Sequence, residues 1–121
     1  MLSGSVVCLK PLSECHKTKT KDWSNDPVLM RLLGRARPVG TIEHEEWFSS
    51  LHKRQDAVYF AIETVSDNRH IGNVWLVHLD SRHRKAEIQI MIGDMDHQNK
   101  GAGSEAIRLI SEYAFSCLNL H

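Results

Sequence analysis

The chain has 121 residues, of which 41% are apolar and 25% are charged, as is usual for one soluble globular domain. Fifteen basic and fifteen acidic residues cancel without forming a basic arm or an acidic tail, so charge gives no support for binding to nucleic acid or a membrane surface. No apolar run is long enough to span a bilayer and residues 1–12 lack a secretory signal pattern, so the cytoplasm is the expected compartment.

The cysteines and histidines do not predict a metal site. Cys8, Cys15 and Cys117 lack the spacing of a zinc or redox motif, so we expect reduced thiols. The His44-Glu45-Glu46 segment is not completed to a His-Glu-x-x-His motif, because position 48 is Phe. Cys117 lies on the apolar stripe of the last predicted helix and is expected in the core.

Hydrophobic periodicity predicts helices and strands along the whole chain. The first half is predicted to hold an edge strand over 6–9, a short helix within 13–23, a helix from Asp26-Pro27 to Gly34, and a helix capped by Thr41. The second half is predicted to hold strands over 57–65, 70–79 and 85–92 and an amphipathic helix over 103–118. On the strand over 85–92, alternate residues share a face: Glu87, Gln89 and Met91 on one, Ile88, Ile90 and Ile92 on the other.

A glycine-containing segment connects this strand to the last helix. Its sequence is Gln98-Asn99-Lys100-Gly101-Ala102-Gly103-Ser104-Glu105-Ala106. Glycines just before a helix leave backbone N–H groups unobstructed, and the helix dipole adds partial positive charge there. The segment therefore predicts a binding site for a phosphate or pyrophosphate.

Two well-known phosphate loops fit this segment poorly. A Walker A loop is excluded, because Lys100 precedes Gly101 and no lysine follows Gly103. The dinucleotide-binding fingerprint matches the spacing of Gly101, Gly103 and Ala106. However, the polar residues 94–99 separate it from the strand and no second strand follows in the sequence.

A third pattern, Gln/Arg-x-x-Gly-x-Gly/Ala, is matched by Gln98, Gly101 and Gly103. It resembles the acetyl-CoA pyrophosphate loop of the GNAT N-acetyltransferases. Residues 71–94 look like the central hairpin of this superfamily, and residues 100–121 look like its loop and following helix. The Gly-x-Gly-Ser-Glu-Ala core and the Leu-Asn-Leu-His ending are similar to the RimJ/RimL type. The resemblance also includes residues 9–12, 23–27 and 47–48, so it covers nearly all of the chain.

The resemblance implies an α+β fold with α/β/α layers, that of the GNAT acyl-CoA N-acyltransferases, with a mostly antiparallel central sheet. Residues 1–121 would be a single domain. Family members continue after the Leu-Asn-Leu-His segment into another strand, a helix and a final hairpin. We therefore expect this domain to be incomplete and to lack the C-terminal strands, which normally form the other side of the acetyl-CoA cleft and often carry a tyrosine that protonates the thiolate.

The resemblance also implies a reaction in which an amine attacks the thioester of acetyl-CoA directly. Glu87 and Gln89 are the candidate catalytic side chains. Glu87 would accept the amine proton, or would be an ordinary solvated strand residue. His78 and Tyr113 are secondary candidates, and Tyr113 is expected in the core. Pantetheine would lie beside a β-bulge in this strand, at Ile90, Met91 and Ile92. The pyrophosphate would bind at Gln98, Asn99, Lys100, Gly101, Ala102, Gly103 and Ser104.

Three functions are compatible with the sequence. The first is a RimJ/RimL-like N-acetyltransferase that acts on a protein N-terminus or a small-molecule amine. The second is a non-catalytic interaction protein that binds CoA and forms a homodimer, because an unpaired sheet edge pairs readily with another chain. The third is an inert remnant. Cofactor binding and turnover with an added amine separate these three hypotheses.

Overall fold

The computed structural model describes residues 2–27, 40–80, 82–97 and 101–118. The strands are β1 (Leu2–Ser3), β2 (Val7–Pro11), β3 (Val58–Thr64), β4 (His70–Asp80) and β5 (Lys85–Ile92). The α-helices whose bounds the structure describes are α1 (Lys17–Ser24), α2 (Thr41–Ser50) and α3 (Ala102–Leu118). Short 3-10 turns lie at Glu14–His16, Leu51–Lys53 and Met95–His97. The chain divides into two compact units, one made of Met1–Leu12 with Gln55–His121 and the other of Ser13–Arg54.

The described residues of the first unit form a five-stranded sheet in the order β1-β2-β3-β4-β5, and each neighbouring pair is antiparallel. Strand alternation sends Leu9, Ile62 and Val74 to the same face, where all three are fully buried. The helix α3 packs on that face. The predicted α+β class with an antiparallel sheet is therefore confirmed.

The amphipathic character predicted for the last helix is also present. Its buried stripe is Ala102, Ala106, Leu109, Ile110 and Ala114. The alanines let the helix approach the sheet closely, while the larger Leu109 and Ile110 fill the space between them. Deleting the Ile110 side chain to alanine would cost about 2–5 kcal/mol, as is typical for a fully buried isoleucine.

The predicted edge position of the first strand and the predicted burial of Cys117 are both wrong. The strand predicted over 6–9 as an edge begins at Val7 and lies between β1 and β3, because the two residues of β1 pair with Leu9 and Cys8. A two-residue strand has no periodicity by which a sequence could reveal it. Cys117 is exposed rather than buried, because the stripe that faces the core continues from Ala114 to Leu118.

The second unit contains α1 and α2. Gly40, in an extended conformation with φ −74° and ψ 163°, occupies the N-cap of α2, so Thr41 is the first helical residue and not the predicted cap. Lys17 Nζ lies 3.1 Å from Glu45 Oε2, and Lys21 Nζ donates a hydrogen bond to Thr41 Oγ1. These contacts join the two helices. The helix predicted from Asp26-Pro27 lies outside the described residues from position 28 onward.

None of the helices described in the structure is both long and apolar enough to cross a membrane. The longest of them, α3, has 17 residues and faces the core along one side only.

Candidate functional site

The outer edge of β5 is the first component of the candidate site. Among the described residues, β5 pairs with β4 alone. Gly93 N–H donates a 2.8 Å hydrogen bond to Ile71 C=O, so the odd-numbered residues of β5 turn their backbone groups towards β4. By this alternation, the backbone N–H and C=O groups of Ile88 and Ile90 point to the other side, where an extended ligand could pair with them.

The backbone of Met91 is oriented the opposite way, because Met91 is the register partner of Asn73 on β4. Three residues are predicted to contact pantetheine. By the alternation along β5, the backbone groups of two of them, Ile90 and Ile92, point towards the outer edge. Met91 can contribute only its half-buried side chain to that edge.

The start of α3 is the second component. Gly101 has φ +80°, and, apart from its chain neighbours, no atom of the described residues lies within 4 Å of where its Cβ would be. Glu105 N–H donates to Gly101 C=O at 3.0 Å, which is the first hydrogen bond of the helix. The N–H groups of Ala102, Gly103 and Ser104 precede this bond and therefore have no acceptor within the helix. Such N–H groups, together with the positive end of the helix dipole, form an anion site.

The two components lie side by side. A Cβ built on Gly103 would lie 3.9 Å from Ile90 Cδ1 and 4.0 Å from Ile92 Cγ1. The first turn of α3 therefore packs on the end of β5, so a ligand could contact the helix start and the strand edge together. The predicted site residues Gln98, Asn99 and Lys100 lie outside the described residues.

An ion-pair network around Asp94 anchors the connection that leaves β5. Arg69 Nη2 donates to Asp94 Oδ2 at 2.8 Å, and Asp96 N–H donates to Asp94 Oδ1 at 3.0 Å. Burial alone would raise the pKa of Asp94, but the hydrogen bond from Asp96 N–H, the nearby His97 imidazole and the charge of Arg69 hold it below its ordinary value of 3.8. Sequence analysis missed this network, since Arg69 and Asp94 are far apart in the chain.

Glu105 is a second residue that sequence analysis missed. Its Oε1 accepts hydrogen bonds of 2.7 Å from the N–H groups of both Val6 and Val7, and its Oε2 accepts one of 3.0 Å from Ser5 Oγ. Burial alone would raise the pKa of Glu105, but these hydrogen bonds lower it from 4.5. In sequence, Glu105 is simply an acidic residue in a first helical turn, and nothing local reveals that it binds the β1–β2 connection.

The two predicted catalytic side chains, Glu87 and Gln89, lie on the face of β5 opposite Ile90 and Ile92, and both are exposed. The β-bulge predicted within this strand is not found there, because the register with β4 is continuous from Gly72↔Ile92 to Val77↔Glu87. The β3–β4 pair and the β4–β5 pair each contain one register shift, and in both pairs the extra residue belongs to β4 and not to β5.

The described part of the chain contains no cluster of three or more His, Cys, Asp or Glu side chains that could hold a metal ion. Tyr113 is predicted to lie in the core; it is partly buried against the core and packs edge-on against Phe60, with ring centroids 5.3 Å apart.

Comparison with known proteins gives a family match to nearly the whole chain. Residues 7–121 match the model described as "Acetyltransferase (GNAT) domain". The spermidine N(1)-acetyltransferase of Escherichia coli (strain K12) is 29% identical, and the match covers 100% of this chain and 63% of that protein. The chain thus spans a little under two thirds of the length of such curated relatives.

Solved structures agree with the family match. The crystal structure of spermidine N-acetyltransferase from Vibrio cholerae in complex with CoA and spermine has a TM-score of 0.87 and 27% identity, over 98% of this chain and 69% of that one. A dodecameric structure of the Vibrio cholerae enzyme in an intermediate state has a TM-score of 0.74 and 25% identity, over 98% of this chain and 67% of that one. The predicted fold is confirmed.

Proposed function

Since the chain belongs to the acetyltransferase (GNAT) domain family, whose co-substrate is acetyl-CoA, we propose that it transfers an acetyl group from acetyl-CoA to a small-molecule primary amine. One observation carries this proposal. The first turn of α3, preceded by Gly101 at φ +80°, packs against Ile90 and Ile92 at the end of β5, which is the last strand in the order of the described sheet. The pyrophosphate and pantetheine portions of acetyl-CoA require such adjacent surfaces.

The proposed roles follow from the two surfaces. The N–H groups of residues 101–104, together with Gln98, Asn99 and Lys100, bind the pyrophosphate. The backbone groups of Ile90 pair with the pantetheine amides, and Ile92 and the Met91 side chain lie beside them. Glu87 accepts the amine proton, and Gln89, two residues along on the same face, orients the amine.

A polyamine is the proposed class of acceptor. The two relatives compared above are named spermidine acetyltransferases, which supports a small cationic amine. The similarity of the loop sequence to that of the RimJ/RimL type favours a protein N-terminus as the alternative acceptor. A short peptide with a free N-terminus, tested beside spermidine, separates the two acceptors.

The remaining parts of the proposal concern the chain as a whole. We propose that residues 1–121 belong to one GNAT domain, supported by a family match from residue 7 to residue 121. We also propose self-association, with the homodimer as the simplest form, because the outer edge of β5 is open in the described structure and the Vibrio cholerae relative is dodecameric. The cysteines are free, which fits a cytoplasmic location.

The test is isothermal titration of the purified chain with acetyl-CoA, followed by release of free CoA thiol on addition of spermidine, spermine or the peptide. Gly101→Glu and Gly101→Gln form a matched pair, since both place a side chain of the same size at φ +80° and differ in charge. We expect Gly101→Glu to bind acetyl-CoA at least about tenfold more weakly than Gly101→Gln, because the added carboxylate repels the pyrophosphate.

Each outcome is informative. Equal affinities in the two Gly101 variants would contradict the proposed pyrophosphate site. Saturable binding without thiol release for any amine would favour the non-catalytic CoA-binding protein. Absence of acetyl-CoA binding by a folded chain would contradict both the acetyltransferase function and the non-catalytic CoA-binding function.

A further inference from the structure

The end of β4 nearest the β4–β5 turn contains a bulge. Val77 pairs with Glu87, and the next pair in the register is Asp80 with Lys85. Two residues of β4, His78 and Leu79, therefore stand opposite one residue of β5. Bulges of this kind bend a strand and change the direction of a side chain, and they are common beside active sites.

His78 occupies the bulge in a left-handed backbone conformation, with φ +53°. The other described non-glycine residues with positive φ are Asn68 and Arg84, which lie in connections between strands, whereas His78 lies inside a strand. An observed backbone outlier within a regular element is grounds for a functional hypothesis.

The bulge changes which face of the sheet His78 occupies. In a regular strand, His78 would point to the face opposite that of its neighbour Val77 and of Glu87. Instead, His78 Nε2 lies 3.6 Å from Glu87 Oε2. This separation is longer than a hydrogen bond, and a small rotation of either side chain closes it. The irregular backbone thus brings an imidazole to the candidate base.

Both side chains remain accessible to water, with 69% of the His78 side chain and 58% of the Glu87 side chain exposed. Glu87 also lies at the far end of β5 from α3. Ile92 is five positions after Glu87, which is about 16 Å along an extended strand. An extended ligand held at the helix start and running along the outer edge would place its reactive end near Glu87.

We propose that His78 is a positioning residue for the transfer reaction: it orients the Glu87 carboxylate and receives the proton that Glu87 takes from the substrate ammonium. This inference rests on the proposed function. The ammonium loses one proton to Glu87, and His78 passes it to solvent. The amine nitrogen then bonds to the thioester carbon, the carbon–sulfur bond breaks and the thiolate leaves with the electron pair. The nitrogen loses a second proton, and the thiolate takes up one from water, so one proton is released overall.

Other charged groups lie near this end of the hairpin. Lys85 shares a face of β5 with Glu87, and Arg82 and Arg84 belong to the turn. Asp80 is held by His83, whose Nδ1 lies 2.8 Å from Asp80 Oδ2. Within the described residues, Glu87 is the carboxylate at ion-pair distance from His78. His83 is a matched control because it is an exposed histidine of the same hairpin, paired with a different carboxylate.

The test compares His78→Asn with His83→Asn in the full chain, using acetyl-CoA and spermidine. Asparagine tolerates positive φ, so His78→Asn keeps the backbone while removing the imidazole. We expect kcat to fall roughly tenfold or more in His78→Asn, with the acetyl-CoA dissociation constant and the KM for amine unchanged. His83→Asn should match the wild type in every measurement.

A second variant addresses loss of folding. Glycine adopts positive φ without strain, so His78→Gly should fold, and added imidazole should restore part of its lost rate. If the wild type is active and His78→Asn has an unchanged kcat, the role of His78 is overturned while the proposed function stands. Absence of rescue in His78→Gly would contradict the proton-accepting role. A wild type that binds acetyl-CoA but transfers nothing would overturn the proposed function, and this inference with it.

Discussion

The side chain of Glu105, in the first turn of α3, accepts a 2.7 Å hydrogen bond from the backbone N–H of Val7, 98 positions earlier in the chain. The same carboxylate oxygen accepts from Val6 N–H at 2.7 Å, and a Cβ on Gly4 would lie only 2.2 Å from it. Glu105 thus holds the β1–β2 connection against the start of the helix that also forms the candidate anion site.

Removal of this carboxylate should destabilise the fold. We expect Glu105→Ala to lower the free energy of unfolding by about 1–3 kcal/mol, because it leaves two backbone N–H groups without their acceptor. Urea denaturation followed by circular dichroism measures the change. Glu112→Ala, on the same helix, removes an exposed ion pair with Arg108 and should cost no more than about 0.5 kcal/mol. Equal losses in the two variants would show that the contacts of Glu105 add nothing beyond an ordinary surface pair.

Acid should weaken the fold through Glu105 and Asp94. Both pKa values are lowered in the folded chain, from 4.5 and 3.8 respectively, so each group stabilises the fold above its unfolded pKa. That stabilisation is lost as the pH falls through the folded pKa. We expect the urea midpoint to fall steadily below about pH 5. The variant Glu105→Gln should show a smaller fall over the same range, and an identical pH dependence in the two proteins would contradict this assignment.

Two glycines should respond in opposite ways to the same substitution. A Cβ on Gly72 would lie 2.3 Å from the carbonyl oxygen of Met91 and 3.0 Å from Ile92 Cα, which are backbone atoms that cannot rotate away. Gly72→Ala should therefore separate β4 from β5, at a cost of about 1–3 kcal/mol, and weaken acetyl-CoA binding. Gly103→Ala meets only ordinary contacts at 3.9 Å and 4.0 Å, and should stabilise α3 by up to about 1 kcal/mol.

Thermal unfolding and acetyl-CoA titration of Gly72→Ala and Gly103→Ala measure the predicted changes in stability and in acetyl-CoA binding. A Gly72→Ala protein as stable as the wild type would mean that the β4–β5 pairing accommodates a methyl group. A strongly destabilised Gly103→Ala protein would contradict the packing of α3 on Ile90 and Ile92.

Tyr113 is expected to act through packing. Its ring lies edge-on to Phe60 at 5.3 Å, so the hydroxyl should contribute little to the reaction. We expect Tyr113→Phe to keep kcat and the midpoint of thermal unfolding close to the wild-type values, whereas Tyr113→Ala should lower the midpoint by several degrees because the ring contact is lost. A large fall in kcat for Tyr113→Phe, with stability intact, would instead identify Tyr113 as an acid in the reaction.

Much of the architecture could be predicted from local patterns. The strands over 57–65, 70–79 and 85–92 and the final helix have clear periodicities of two and 3.6 residues, and they appear as β3, β4, β5 and α3 with shifts of one residue. The errors occurred where local pattern carries little information. The two-residue β1 changed the place of β2 in the sheet, and Cys117 lies just outside a stripe that continues to Leu118.

The sequence by itself determined the order of the predicted elements and the position of the glycine segment, because these depend on periodicity and on residues that are neighbours in the chain. Its resemblance to the GNAT acetyltransferases implied the fold class. Only the tertiary structure decided that Glu105 binds the β1–β2 connection, that Asp94 pairs with Arg69, and that His78 reaches Glu87. Each of these contacts joins groups from different segments of the chain. They depend on strand register, a bulge and helix placement, which the whole fold sets through packing.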